Sequence, residues 1–384
     1  MPRSQCWRLA SASPARCCGR DLNGVARARL PFWLGQPGRY AGLSRTRAIG
    51  VAIVLLALVA VLALMPTPEG VASFADASIH ESVIDGVRAG GGYYELLADA
   101  LRAGGEPLRP FLAFRLPSHA AVQALLPREA AVVALYLLAA GVAAAWWVRL
   151  AEALPRAAPR ASAMILLAGG MVSYLLADLS GAHELWAGLL VALSLALRRP
   201  GRWVEAAALA LIAALVRETA ALYLILMAVI AFAEGARREA AGWGVALGVF
   251  ALALGVHAYA VAQVTGPLDP QGVSNSLLGP GVVTSGVIEA TVLRMLPAPL
   301  AALIAALALV GWSGWRDPLG TRVTATLAAY ALGAALLAQA GGFYWVLLIA
   351  PLWLVGLVFL PDAVRDLAVA ILDRPRVRVQ RITQ

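Results

Sequence analysis

The sequence predicts an all-α polytopic membrane protein with about ten transmembrane helices, and three observations carry that prediction. The chain is 61% hydrophobic and only 14% charged, with a mean hydropathy of +0.76, a balance that soluble domains do not normally reach. Apolar stretches of about 17 to 21 residues recur along it, the length a helix rising 1.5 Å per residue needs to cross about 30 Å of hydrocarbon. All 31 basic residues are arginine, and they gather in short clusters between the apolar stretches, as orientation signals do.

The same composition excludes several functions. Without lysine there is no Walker-type phosphate loop. The net charge of +9 is not laid out as a basic face interleaved with aromatics, so nucleic acid is not an expected partner. Cys6, Cys17 and Cys18 are the only cysteines, so the membrane body offers no disulfide, iron–sulfur or zinc–thiolate chemistry.

Residues 1–47, rich in Arg, Ser, Ala and Pro, predict a disordered basic cytoplasmic tail. The run AIGVAIVLLALVAVLALM behind it is longer than the apolar core of a signal peptide, so 48–65 reads as an uncleaved first span. A long outer loop follows at 66–129. In it Tyr93, Tyr94, Leu97, Ala100 and Leu101 recur at helical spacing and predict an amphipathic helix lying on the membrane interface. Spans come next at 130–148, 161–177 and 181–197, then a short helical hairpin at 203–233. Further spans are expected at 242–262, 295–312, 323–340 and 343–360, with a second long outer loop at 263–290. The transmembrane domain so bounded is 48–362, and 363–384 is a basic cytoplasmic tail.

The hairpin is argued from charge. Short loops with excess arginine stay cytoplasmic, and a turn at Arg217-Glu218 keeps Arg156, Arg160, Arg198, Arg199, Arg202, Arg237, Arg238, Arg316 and Arg322 on one side with both termini. A single helix over 203–233 would put the later clusters outside. The two arms are only 14 and 15 residues long, about 21 to 23 Å. The Arg217-Glu218 tip is therefore expected at the floor of a cavity open to the outer side. Neighbours in a helix do not face each other, so each of the two is expected to have a separate partner.

That outer side collects the unusual polar residues: Asp76, His80, Glu81, Asp85, Tyr93, Tyr94, Arg109, Arg115 and His119 in the first loop, Asp178, His183 and Glu184 in the next turn, and Tyr344 with Trp345 near the end. The four histidines, His257 included, fit no ligand spacing such as H-E-x-x-H and read as independent hydrogen-bonded side chains. No metal site is expected from them.

The stretches GGGYY, LRPFLAFRLP, HELWAGLLVALSLALRR, LVRETAALYL and GGFYWVLLIAPLWLVGL, in that order and on one side, resemble the GT-C superfamily of integral-membrane glycosyltransferases over roughly residues 48–360. The resemblance implies a sugar moved from a polyprenyl-phosphate donor to an envelope glycan, lipid or protein acceptor, at the periplasmic face of a bacterial inner membrane. It implies no cofactor, and leaves a divalent cation open. It also implies a catalytic carboxylate in the first outer loop. Gly92 stands where an acid beside the tyrosine pair would be expected, so Asp85 is the first candidate, with Asp76 and Glu81 behind it.

The chemistry asks for a carboxylate to take the acceptor proton and a cation to receive the leaving phosphate. Arginine's planar fork binds phosphate bidentately and keeps its proton. Arg217 is thus the expected clamp, helped by Arg115 and Arg109, with Glu218, Tyr93, Tyr94, Asp178, His183, Glu184 and Tyr344 completing the substrate site. Two other functions compete. A multi-pass solute transporter would show paired broken helices in two halves, and no internal repeat is visible. A non-catalytic membrane protein of envelope assembly is favoured if the loop acids are dispensable.

Overall fold

The structure is a computed structural model describing residues 31–65, 77–272, 279–337 and 342–372. Among them it is all-helical, with only isolated bridges in place of a sheet. The helices are α1 (Arg45–Leu64), α2 (Ala77–Arg88), α3 (Tyr93–Gly104), α4 (Pro117–Leu125), α5 (Arg128–Leu150), α6 (Ala157–Gly170), α7 (His183–Leu197), α8 (Val204–Val216), α9 (Ala221–Ala233), α10 (Arg237–Val264), α11 (Gly281–Ala290), α12 (Ala298–Gly314), α13 (Pro318–Leu337), α14 (Gly342–Leu347), α15 (Ala350–Trp353) and α16 (Leu360–Leu372). Three of them, α1, α5 and α10, are long and apolar enough to cross a membrane. Each leaves large apolar side chains bare, Leu56 at 68%, Leu137 at 68% and Leu252 at 74% exposure. Long apolar helices with such faces are what a bilayer solvates and water does not.

The hairpin at 203–233 is present. Helix α8 stops at Val216, Arg217 is extended (φ −141°, ψ 114°), and a 3-10 turn over Glu218–Ala220 leads into α9. Ser194 Oγ on α7 donates to the Ala206 carbonyl at 2.7 Å and lies 3.0 Å from the Tyr223 hydroxyl. An unbroken helix would set residues 206 and 223 about 25 Å apart, so the chain must turn back on itself between them. At the hairpin's base Arg198 grips Glu239 with two hydrogen bonds of 2.8 and 2.7 Å, and Arg322 holds Glu234. These pairs, with Arg149–Glu152, gather at the end of the helices opposite the hairpin tip.

Four expectations are corrected. Residues 31–44 are not part of a disordered tail: the backbone N–H groups of Phe32, Trp33 and Leu34 donate to the buried Asp362 carboxylate at 2.5, 2.9 and 2.9 Å. Gly35 N–H reaches the Ala153 carbonyl, Arg39 N–H the Gly314 carbonyl, and Tyr40 is buried. The physical reason is Asp362 itself, a fully buried carboxylate that needs donors. It sits in the first turn of α16, whose residues 363–372 are helix rather than tail. Residues 1–30 and 373–384 lie outside the described residues.

Second, the loop 66–129 carries three helices. The apolar face of α3 is turned inward, where Leu97 and Leu101 join Val83, Leu108, Phe114 and Val261 of α10 in a core of their own. Third, α11 occupies part of what reads as the outer loop 263–290. It is buried beside α1, α12, α13 and α14, and Thr284 Oγ1 donates to the Leu62 carbonyl at 2.7 Å. Fourth, 343–360 is not one span but α14, α15 and a 3-10 stretch over Leu354–Val358. Pro351 supplies no N–H there, and the segment is walled in on all sides. Gly170 of α6 lies so close that a Cβ would stand 2.7 Å from the Ala350 and Pro351 carbonyls, and a Cβ on Gly311 of α12 would collide with the Gly356 carbonyl.

Candidate functional site

The break at Arg217 is what brings the charges together. With its backbone extended, Arg217 turns its guanidinium sideways instead of along a helix face. Nη1 then donates to Glu218 Oε2 at 3.0 Å, and Nε stands 2.7 Å from Glu184 Oε1 at the start of α7. The adjacent pair therefore does meet, contrary to the helical expectation, because neither residue is in an α-helix, and each also has the separate partner expected of it. Glu218 Oε1 also accepts the Leu116 N–H at 2.6 Å, which ties the tip to the first loop. The open ends of the hairpin are closed by side chains: Ser118 Oγ donates to the Leu215 carbonyl, and Tyr330 OH to the Thr219 carbonyl at 2.9 Å.

Arg217 is 6% exposed, Glu218 9% and Glu184 5%. Charges this deep persist only when paired, since desolvation costs several kcal/mol per ion. Among the described residues the pair sits in a buried ion network, each side chain less than a tenth exposed, where the sequence predicts the floor of an open cavity.

The fourth charge is less committed. Arg115, between a 3-10 turn over Phe111–Ala113 and α4, keeps its guanidinium 4.0 Å from Glu184 Oε1, with the side chain 18% exposed. Among the described residues that guanidinium makes no hydrogen bond. Its backbone is fixed, for the Tyr93 hydroxyl donates to the Arg115 carbonyl at 2.8 Å. Burial, and then the neighbouring Arg217, pull the Arg115 pKa below its ordinary value. The result is a cation with five N–H donors held against the network and not neutralised by it at close range.

Beside it three histidines meet. The His119 and His183 ring centroids are 4.3 Å apart and those of His80 and His183 are 4.9 Å apart, with Trp186 against His119 at 5.8 Å. Gln123 Nε2 spans from His119 Nε2 (3.2 Å) to the Ser180 carbonyl (3.1 Å). The buried His119 Nδ1 and His183 Nε2 have no hydrogen-bond partner, and burial holds the His119 imidazole down at about 4. These three are not independent side chains. They come from α2, α4 and α7, so no sequence spacing could reveal them. Only His257 stands apart, between Tyr94 OH (3.1 Å) and the Phe114 carbonyl (3.3 Å). Among the described residues no group of three or more His, Cys, Asp or Glu side chains is arranged to hold a metal ion.

The other expected site residues scatter. Asp85 is 62% exposed and paired with Arg88 at 2.5 Å; five residues beyond His80, it lies about 140° around α2 from the face that meets His183. Glu81 pairs with Arg128 on the surface. Asp76 lies outside the described residues. Arg109 is spent on the loop 266–272, donating to the Pro267 and Asp269 carbonyls at 2.9 and 3.0 Å. Asp178 is exposed in a 3-10 turn, and Tyr344 packs half-buried against the main core. Tyr94 belongs to the His257 contact and Tyr93 to the Arg115 contact. The structure thus unites Arg115, Arg217, Glu218, His183, Glu184 and Tyr93, and leaves out Glu81, Asp85, Arg109 and Asp178. No family model, curated protein or solved structure matches the chain.

Proposed function

We propose that this chain is a glycosyltransferase that moves a sugar from a polyprenyl-phosphate donor to an envelope glycan, lipid or protein acceptor at the periplasmic face of a bacterial inner membrane. The ten-span arrangement with both termini cytoplasmic belongs to the same proposal. The observation that supports it is Arg115: a largely buried guanidinium with free donors, beside an ion network at the end of the molecule away from the arginine clusters. In the transfer, the acceptor oxygen bonds to the anomeric carbon while the bond from that carbon to the phosphate oxygen breaks, and the phosphate leaves with the electron pair. Arg115 would receive it, and Arg217, already shared by two carboxylates, would hold Glu184 and Glu218 in place. This exchanges the roles expected for the two arginines. A first-loop carboxylate would take the acceptor proton; Glu81 and Asp85 are engaged with surface arginines, so Asp76, four residues ahead of His80 in the sequence, is the acid to test first.

One observation favours a second function, a non-catalytic membrane protein of envelope assembly: Arg217 and Glu218 are buried and paired with carboxylate and backbone groups of the protein itself. The envelope glycan profile of host cells with and without the gene separates the two. Under the transferase proposal a glycan is lost on deletion, restored by the intact gene, and not restored by Arg115→Ala or Asp76→Asn. Full restoration by both variants would leave only the non-catalytic function.

A further inference from the structure

At the arginine-rich end a cavity of about 360 Å³ opens between residues 34–37, the end of α5 and the turn from α12 to α13. Leu34, Arg149, Glu152, Trp315, Arg316 and Asp317 are among its lining residues. Arg149 lies 21 residues along α5 from Arg128, the residue that pairs with Glu81, so the cavity is about 30 Å from that end of the molecule and independent of the site above.

Its chemistry is set by two arginines. The Arg149 side chain is only 10% exposed. Its Nη1 donates to Glu152 Oε2 at 2.6 Å and its Nη2 lies 3.8 Å from Asp317 Oδ1, while its buried Nε has no hydrogen-bond partner. Nε is closed off from the cavity, whereas Nη2 is not, and among the described residues Nη2 makes no hydrogen bond, which leaves it a donor to an acceptor that completes the site. Arg316 is exposed and, among the described residues, makes no hydrogen bond or ion pair. The carboxylates are already engaged: Glu152 Oε1 also meets Arg199 Nη1 at 3.1 Å, and Asp317 Oδ1 accepts the Leu319 N–H at 2.7 Å at the start of α13. In the lining itself Arg149 and Arg316 balance Glu152 and Asp317, and Arg199, which pairs with Glu152 from outside it, adds one positive charge. Leu34 and Trp315 add an apolar wall that a bare inorganic anion would not use.

We propose that this cavity binds a phosphate group carrying a carbon substituent, its oxygens held between the Arg149 Nη2 and the Arg316 guanidinium and its carbon portion against Leu34 and Trp315. Two sources share that chemistry, an anionic phospholipid headgroup at the membrane surface and a soluble phosphomonoester.

The test is thermal unfolding of the full chain in neutral detergent, titrated with phosphatidylglycerol, with glycerol phosphate and with phosphatidylcholine. A saturable rise in Tm with phosphatidylglycerol alone assigns the site to a lipid headgroup, and a rise with glycerol phosphate as well assigns it to the phosphate itself. In either case Arg316→Gln, which removes no protein contact, is expected to weaken the apparent affinity about tenfold, the size of one charge-assisted hydrogen bond. Arg149→Lys, which keeps a charge beside Glu152 but removes the second terminal nitrogen, should do the same. No saturable rise with phosphatidylglycerol or glycerol phosphate, or an equal response to phosphatidylcholine, or unchanged titrations in both variants, overturns the proposal.

Discussion

Glu184 is the residue on which the buried charges turn, because Arg217 meets it at 2.7 Å and Arg115 at 4.0 Å. Removing one partner of a buried pair costs about 3–5 kcal/mol, so Glu184→Ala is expected to lower Tm in detergent by several degrees. Arg115→Ala, which breaks no hydrogen bond from the guanidinium, should leave Tm nearly unchanged; equal losses in the two variants would make Arg115 a structural cation. His119 supplies a pH test. Its folded pKa is about 4, against about 6.5 in an unfolded chain, so between those values the unfolded state binds more protons. The linked stability is complete above pH 6.5, falls as the pH drops towards 4, and levels off below. The groups facing His119 are His80, His183, Glu184, Gln123 and Trp186. A flatter loss of Tm over that window in His119→Gln is expected, and an unchanged slope would assign the acid sensitivity elsewhere. Arg217, Glu218 and Glu184 were conspicuous in the sequence because charges inside apolar runs are rare. The uncommitted state of Arg115 was not, since which cation lacks a close partner depends on contacts among the first loop, α7 and the hairpin tip.

The hairpin of α8 and α9 is legible from arginine sidedness alone. The broken segment 342–358 is not, because a stretch buried on every side carries no periodicity to distinguish one helix from three pieces. For the same reason the buried α11 reads as loop: Gly281, Gly286, Thr284 and Ser285 look polar and small, while in the structure they fill a crowded site against α1 and α14. The amphipathic pattern of α3 is plain in the sequence, but a sequence cannot say whether the apolar face meets lipid or another helix. Close backbone approach gives a prediction at this scale. Gly311→Val must push α12 away from the Gly356 carbonyl and is expected to cost at least the ~1–3 kcal/mol of an overpacked core, read as a lower Tm and yield. Gly255→Val on α10, where a Cβ meets nothing, should be close to neutral. Similar losses at both positions would contradict the packing described.

Across the molecule, the arginine pairs Arg149–Glu152, Arg198–Glu239 and Arg322–Glu234 mark one end, and the network of Arg115, Arg217, Glu184 and Glu218 marks the other. Composition was enough to read an all-helical membrane protein, because bilayer crossing is a property of single segments. The contacts between segments, in which the second core and the histidine cluster reside, are long-range and leave no local trace. Orientation can be checked by impermeant thiol labelling of intact cells, in a background with Cys6, Cys17 and Cys18 changed to Ser. Asp178→Cys, exposed at the network end, is expected to react, and Arg238→Cys, exposed at the arginine-rich end, to stay protected; the reverse pattern would invert the proposed topology. Asp362 gives this arrangement one more consequence. By clasping the backbone of Phe32, Trp33 and Leu34 it fastens the stretch before α1 to α16, like a buckle. Removing the residues before Arg45 would take three backbone donors from that carboxylate and leave it only Arg365 at 4.0 Å, so damage made ahead of α1 should be felt first as loosening of α16.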